Sequence, residues 1–223
     1  AQDSAKVYKY STELKSMGLS LLPPDVNESG EGFTPIDDTV RYGLTAIKGM
    51  GASSVAAIVE ARNSGKFTSL FDFCGRLGSG AVNRRGLESL ISAGAFDSLM
   101  PQEKSPGEWR SQLHAAIETA LAQGQRASED RMRGQSALFG AVEGSDASLD
   151  QLPDAKPWSP AEVAMREKAA VGFYLSAHPL DDYKAMLAAA RLKNLADYGD
   201  LAAGQTIKLV GMIGMCQIRV DRK

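Results

Sequence analysis

Cysteine and histidine are scarce: two of each in 223 residues. Cys74 and Cys216 cannot build the disulfide framework of a small secreted scaffold, so a reducing cytoplasm is the simpler setting. Together with His114 and His178 they fall at spacings that suit no ordinary zinc site. No apolar run approaches the ~20 residues that a membrane-crossing helix needs. No charged, apolar and small-residue pattern marks a signal peptide, and no repeat of solenoid period is present. The net charge is only −2, so neither sign dominates the whole chain. A composition of 43% hydrophobic and 23% charged residues excludes collagen, coiled coil and wholesale disorder. At roughly 150 residues per domain, the length allows one large domain or two small ones.

The near-neutral total hides an uneven distribution. Residues 1–40 carry seven acids against Lys6, Lys9 and Lys15, a net of −4. Residues 41–86 carry Arg41, Lys48, Arg62, Lys66, Arg76, Arg84 and Arg85 against Glu60 and Asp72, a net of +5. A basic block of this kind is the electrostatic footprint of a nucleic-acid contact, and equally common on a solvated surface.

Periodicity predicts a mainly α chain. Val7, Tyr10, Leu14 and Met17 fall on one helical face, closed by Gly18. Pro23-Pro24 and the Asn27-Glu28-Ser29-Gly30 tail read as a loop. Short helices and turns alternate from 41 to 99, with Phe67, Leu70, Phe71 and Phe73 as apolar bulk and a stripe of Leu87, Leu90 and Ile91 ending at Gly94. Trp109, Leu113, Ile117 and Leu121 mark a helix over 109–122. Residues 123–160 are rich in Gln, Gly, Ser, Asp and Pro and read as extended or mobile. Helices return near 162–174 and 182–190, on either side of a turn at Ser176-Ala177-His178-Pro179. A β-type run at 206–213 would be a lone strand that buries no face, so the chain is expected to be a piece of something longer at both ends.

One segment carries chemistry. Leu44 and Ile47 close a short helix, Gly49-Met50-Gly51 makes a tight turn, and Val55, Ile58 and Val59 form the inner stripe of a second helix. The glycines reach positive φ and let another molecule approach. The second helix starts with unpaired N–H groups, which suit phosphate. The expected phosphate ligands are Lys48, Gly49, Met50, Gly51, Ala52 and Ser53. This is the pattern of a helix-hairpin-helix motif, which grips the DNA backbone without reading bases. The alternative is a glycine-turned hairpin that binds nothing. Val82-Asn83-Arg84-Arg85 opens a further helix, where Arg84 and Arg85 stand equally as phosphate ligands or as a solvated face.

A second segment, Gly134-Gln135-Ser136-Ala137-Leu138-Phe139-Gly140, sets two bulky apolar residues in polar surroundings. Such a pair either folds back on its own domain or is offered to a partner. It resembles the peptide by which bacterial proteins bind the sliding clamp. There the Gln takes a polar subsite and the Leu-Phe pair an apolar pocket, which nominates Gln135, Ser136, Ala137, Leu138 and Phe139. Ser136-Ala137 departs from the more apolar or acidic residues often seen at those positions.

Further blocks join these features. They are Met17-Gly18, Leu22-Pro23-Pro24-Asp25-Val26-Asn27-Glu28-Ser29, Arg41-Tyr42-Gly43-Leu44 with Ala46-Ile47-Lys48-Gly49, Phe71-Asp72-Phe73-Cys74, Ala93-Gly94-Ala95-Phe96-Asp97, and Gly172-Phe173-Tyr174-Leu175-Ser176 with His178-Pro179-Leu180-Asp181. In this order they resemble the alpha subunit of bacterial DNA polymerase III, the C-family replicative polymerase. The resemblance implies a layout: 1–38 as the tail of the fingers domain, 39–200 as a helix-hairpin-helix and clamp-binding domain, and 201–223 as the truncated start of an OB fold. The implied fold is mainly α with a C-terminal β remnant. The implied partners are duplex DNA bound without sequence preference, the sliding clamp and other replicase subunits, in a nucleoid-associated, cytoplasmic setting with no membrane.

The family's catalysis rests on palm carboxylates that hold two magnesium ions. No Asp-x-Asp cluster stands in this chain, and Asp37-Asp38 reads as a solvated loop, so no catalytic residue, metal ligand or cofactor is expected here. The parent would be a DNA-directed DNA polymerase and this piece of it inactive. His178 reads as a brace for its turn, Cys74 as a small buried apolar residue, and Trp109 and Trp158 as packing anchors. The competing classes are an error-prone paralogue of the same polymerase and a helix-hairpin-helix module with no polymerase attached.

Overall fold

The computed structural model describes residues 4–78, 80–132, 151–176, 178–190 and 204–211. It divides into two compact units, Ala1–Ala177 and His178–Lys223. The first unit is built on helices α1 (Ser4–Ser16), α2 (Ala52–Ala61), α3 (Leu70–Leu77), α4 (Arg84–Ser92), α5 (Pro106–Met132) and α6 (Pro160–Val171). The described part of the second contains a 3-10 turn, Asp181–Tyr183, and helix α7 (Lys184–Ala189). The chain is mainly α, as its periodicity predicts.

A small sheet was not anticipated. Strands β1 (Ser20–Leu22), β2 (Thr34–Ile36) and β3 (Thr39–Arg41) lie in the order β1-β3-β2, with β1 parallel and β2 antiparallel to β3. Three residues are too few for apolar alternation to register. Ile36 pairs with Thr39 across a two-residue turn in which Asp37 takes φ 48°, so Asp37-Asp38 is an exposed hairpin turn. The β1–β3 pair also spans the expected boundary between residues 38 and 39. At the other end, the described residues 204–211 form neither helix nor strand, and the rest of the 206–213 run lies outside the described residues.

The two-proline loop is tied down at its centre, although Pro23 and Glu28 are exposed. Pro24, Asp25 and Val26 are buried. Asp25 accepts from the Asn27 amide (2.7 Å), and Asn27 exchanges hydrogen bonds with the Phe67 backbone. Ser29 Oγ donates to the Tyr42 carbonyl (2.7 Å), and Val26 N–H donates to Ala95 O (2.9 Å). The loop is therefore a plug that ties three segments together with otherwise orphaned backbone groups. Behind it, Phe67, Phe73 and Phe96 pack edge to face, with centroids 4.9 and 5.1 Å apart.

Polar composition misleads over residues 123–132, while residues 151–159 form neither helix nor strand, as expected of an extended segment. Residues 123–132 continue α5, whose polar positions are the exposed side of a long helix. A Cβ on Gly124 would stand 2.6 Å from the Cys74 carbonyl oxygen, so this glycine lets α5 cross closely over α3. Arg131 then donates to Gly75 O (2.7 Å). Further on, Trp158 N–H donates to Gly107 O (3.1 Å), and Ser159 caps α6 with Pro160 at its first position. Residues 133–150 lie outside the described residues.

The remaining family-like blocks serve packing. Arg110 is 4% exposed, and its guanidinium pairs with Asp97 (2.6 Å) and approaches Glu167 (3.7 Å). Glu167, fully buried, accepts from the amides of Leu175 (2.7 Å) and Ser176 (2.8 Å) and from the Ser176 hydroxyl. Buried charges persist only when paired and fully hydrogen-bonded. Gly94 holds φ +79°, and a Cβ there would stand 2.3 Å from Arg110 Nη2. Trp109 donates its indole N–H to Phe96 O (3.0 Å). His178 braces its turn: its Nδ1 accepts from the Leu180 amide (3.1 Å) while its own amide donates to Asp181 (2.7 Å).

Two outcomes are expected. Gly94→Ala lowers stability by about 2–3 kcal/mol in urea titration, because the methyl group displaces the Arg110–Asp97 pair and the residue is strained. Burial pushes the Cys74 thiol up to about 12. Iodoacetamide at pH 8 therefore leaves Cys74 unmodified in the folded chain and alkylates it in urea, as read by peptide mass spectrometry.

Candidate nucleic-acid interface

The hairpin forms where the glycine spacing predicts it. Its first arm is a single 3-10 turn, Leu44–Ala46, not a longer helix. Leu44 and Ile47 are buried. Gly49 then takes φ +86°, a conformation that side chains rarely adopt. The bend turns Met50 inward, to 9% exposure, with its amide donating to Ile47 O (3.2 Å). Gly86, inside α4, lies beneath it: a Cβ there would be in ordinary contact with the Met50 sulfur at 3.5 Å and would crowd Val82 at 3.0 Å.

Gly51 is the N-cap of α2, extended at φ −88° and ψ 155°, with no side-chain cap. Its carbonyl accepts from the Val55 amide (3.0 Å), so the amides of residues 52–54 precede the first i→i−4 bond of the helix. Gly51, Ala52 and Ser53 are exposed, and the positive end of the helix dipole opens to solvent there. On the inner side Val55 and Ile58 are fully buried and Val59 is half-buried. The bend departs from the expected form in two ways: only Gly49 takes positive φ, Gly51 being extended, and Met50 is withdrawn as a phosphate ligand, its side chain buried and its amide bonded to Ile47 O, which leaves the amides of residues 52–54 at the open helix start.

Two neighbours hold and charge it. The Lys48 amide donates to Ala170 O (2.9 Å), pinning the turn to the end of α6, while the Lys48 side chain is exposed. On α4, a Cβ on Gly49 would meet Ser89 Oγ at 3.5 Å and Arg85 Cγ at 3.9 Å. Arg85 is exposed, and neither it nor Lys48 makes an ion pair among the described residues.

The rest of the basic block is occupied within the fold. Arg84 pairs with Glu88 (2.9 Å) and Glu118 (2.6 Å), which holds its proton more firmly than usual. It is exposed, but its charge is locally balanced, unlike that of Arg85. Arg62 donates to the carbonyls of Val26 and Ser29. Arg76 pairs with Asp72, donates to the carbonyls of Ala61, Gly65 and Lys66, and lies 4.5 Å over the Phe67 ring. Lys66 pairs with Glu28 (2.6 Å) and Arg41 donates to Pro23 O (3.2 Å). The net of +5 therefore overstates the charge available to a partner. What remains is concentrated beside the bend.

Sequence reasoning missed Gly86 and the Ala170 carbonyl. A glycine inside the helical stripe of α4 was the available signal, since such a residue usually marks a close approach. The tie to Ala170 left none. Gln135, Ser136, Ala137, Leu138 and Phe139 lie outside the described residues. Among the described residues no group of three His, Cys, Asp or Glu could hold a metal ion, and no helix is long and apolar enough to cross a membrane.

A tight glycine bend, an inward apolar residue and an open helix start define a helix-hairpin-helix protein. A family model described as a helix-hairpin-helix motif matches residues 18–105. By sequence the chain belongs to the DNA polymerase III alpha subunits, matching one segment of them. The protein so named in Neisseria meningitidis serogroup A is 42% identical over 173 residues, 77% of this chain. That of Deinococcus radiodurans is 39% identical over 193 residues, 85% of the chain, and that of Thermus aquaticus 35% over 215 residues, 95%. The chain spans between 14% and 17% of the length of these relatives.

The two glycines of the bend should separate on substitution. Gly49→Val forces a β-branched residue into positive φ and costs at least about 1–2 kcal/mol. Gly51→Ala keeps an extended residue at the N-cap, where a Cβ meets nothing closer than Ser53 Oγ at 3.9 Å, and costs at most about 1 kcal/mol. Parallel urea titrations check the difference.

Proposed function

We propose that the chain grips the sugar–phosphate backbone of duplex DNA through the Lys48–Ser53 bend, without reading bases. The observation that carries this reading is the exposed first turn of α2, flanked by Lys48 and Arg85, the cations of the basic block that make neither an ion pair nor a side-chain hydrogen bond to a carbonyl among the described residues. Backbone amides and a helix dipole suit a phosphate oxygen. Lys48 and Arg85 add the charge that draws the duplex in. Arg84, tied to two glutamates, contributes less than Arg85. Binding of this kind has a dissociation constant of about 10⁻⁴–10⁻⁶ M at physiological salt, so it steadies a protein on DNA and selects no site.

A second grip lies in the Gln135–Phe139 peptide, which we assign to the sliding clamp. Two weak grips on one duplex raise effective concentration into roughly the millimolar range and multiply affinity by about 10²–10⁴. In this reading the parent is a DNA-directed DNA polymerase, and the two grips make its synthesis processive. The carboxylates and magnesium ions of nucleotide transfer belong to parts of that parent outside these 223 residues, and the chain by itself extends no primer.

Fluorescence anisotropy with labelled duplexes tests the DNA grip. Affinity falls with salt along a shallow slope and is the same for unrelated sequences. Lys48→Gln and Arg85→Gln each reduce the slope by about 1, whereas Arg84→Gln changes it less. A strong preference for one sequence sinks the reading. In a separate titration, replacing Gln135, Leu138 and Phe139 together by Ala abolishes binding to the clamp and leaves duplex affinity unchanged. Retained clamp affinity rejects that assignment.

A further inference from the structure

A polar cleft of about 210 Å³ opens between α4, α5 and α6, lined by Glu88, Ser89 and Ser92 of α4, His114 of α5 and Arg166 of α6. It adjoins both supports of the glycine bend. Ser89 Oγ lies 3.5 Å from where a Cβ on Gly49 would stand, and Ala170, whose carbonyl holds the Lys48 amide, is a further wall residue. The charges of the cleft are answered within the fold. Glu88 accepts from Arg84 (2.9 Å), and Arg166 pairs with Glu162 (2.9 Å) and lies 4.1 Å over the Trp158 ring. Burial and the nearby Arg166 hold the His114 imidazole below its ordinary pKa, so it adds no charge at neutral pH. Two donors are left over. The hydroxyls of Ser89 and Ser92, both half-buried, make no hydrogen bond among the described residues. A serine inside a helix can bond back to a carbonyl one turn earlier, as Ser111 does to Glu108 O (2.9 Å), and these two do not.

We infer that the cleft is a second phosphate subsite, where the Ser89 and Ser92 hydroxyls donate to a backbone phosphate of the same DNA strand that the bend holds. This deepens the backbone-gripping reading above and rests on it. Spacing selects the occupant. Arg85, Ser89 and Ser92 stand four and three residues apart, on one face of α4. From Arg85 to Ser92 the helix rises about 10 Å. Successive phosphates of one strand advance about 3.4 Å along the duplex, so a strand laid along this face presents more than one phosphate to it. Charge selects the same occupant. A cleft whose one arginine is already paired is a poor trap for a free anion. A phosphate delivered by a strand held at Lys48 and Arg85 needs only neutral donors. Serine hydroxyls are among the groups that make such contacts, which fix a protein's register on the duplex without reading its sequence.

Fluorescence anisotropy of the 223-residue chain with a labelled duplex tests the subsite. Replacing Ser89 and Ser92 together by Ala weakens binding about three- to tenfold and leaves the salt slope unchanged, because hydrogen bonds to a charged group are lost and no cation is. Unchanged affinity overturns the inference. So does a reduced slope, since that assigns the loss to Arg85. Ser89 also lies against the bend, so Ser92→Ala alone is the control for disturbed packing. It weakens binding about two- to threefold at an unchanged melting temperature, and full affinity in this variant overturns the subsite. Lys48→Gln in the same titrations reads the bend separately. A slope that falls with Lys48→Gln while the serine variants stay silent rejects the cleft and spares the bend; a slope that Lys48→Gln leaves unmoved rejects the bend itself. Inorganic phosphate, added to the chain at constant ionic strength without DNA, leaves the amide resonances of Ser89 and Ser92 in place. Their displacement identifies a site for free anions and overturns the assignment to a strand phosphate.

Discussion

The proposed DNA-binding surface depends on one steric constraint. The bend at residues 49–51 must turn its single side chain inward while leaving the first amides of α2, those of residues 52–54, outside. Gly49 meets the first half by adopting φ +86°, and Gly86 lies beneath Met50 on α4. A side chain at residue 49 is strained at that φ, and a Cβ at residue 86 would crowd Val82 at 3.0 Å. The Lys48–Ala170 hydrogen bond then fixes the bend against α6. A site made of backbone donors is only as well defined as the packing that holds the backbone, so the interface is a consequence of the core beneath it.

The same economy governs charge. The basic block looks like a nucleic-acid footprint when residues are summed along the chain. In three dimensions Arg62 and Arg76 satisfy carbonyls at the end of α2 and in the two-proline loop, and Arg84 answers two glutamates. Guanidinium groups suit this work because their five donors can satisfy several carbonyls at once. The cations left without an ion pair or a carbonyl partner in the basic block, among the described residues, are Lys48 and Arg85, beside the helix start whose dipole has the same sign of attraction. The family-like blocks divide in a similar way. Those around Asp25, Gly94 and Ser176 close hydrogen bonds in the interior, and only the block that ends in Lys48-Gly49 reaches the open bend.

Residue patterns made much of this legible. The stripes of α2, α4 and α5 repeat over enough turns to be read, and Gly49-Met50-Gly51 stands between two of them. Asp37-Asp38 and the His178 turn carry local hydrogen-bonding chemistry that is visible in the residues themselves. Errors came where local pattern is thin or ambiguous. Strands of three residues are too short to alternate. The polar stretch after residue 122 has the composition of a linker and also that of the outer face of a long helix. The close approach of Gly124 to the Cys74 carbonyl and the Arg131–Gly75 hydrogen bond distinguish the two.

By itself the sequence determined the helical class, the place of the bend and the kinship with the polymerase subunits, because these rest on periodicity, on glycine's access to positive φ and on identity along the chain. Tertiary structure alone decided which cations face solvent and which glycines are there to let helices cross. Those outcomes turn on distances between segments far apart in the chain, and a linear pattern contains no such distances.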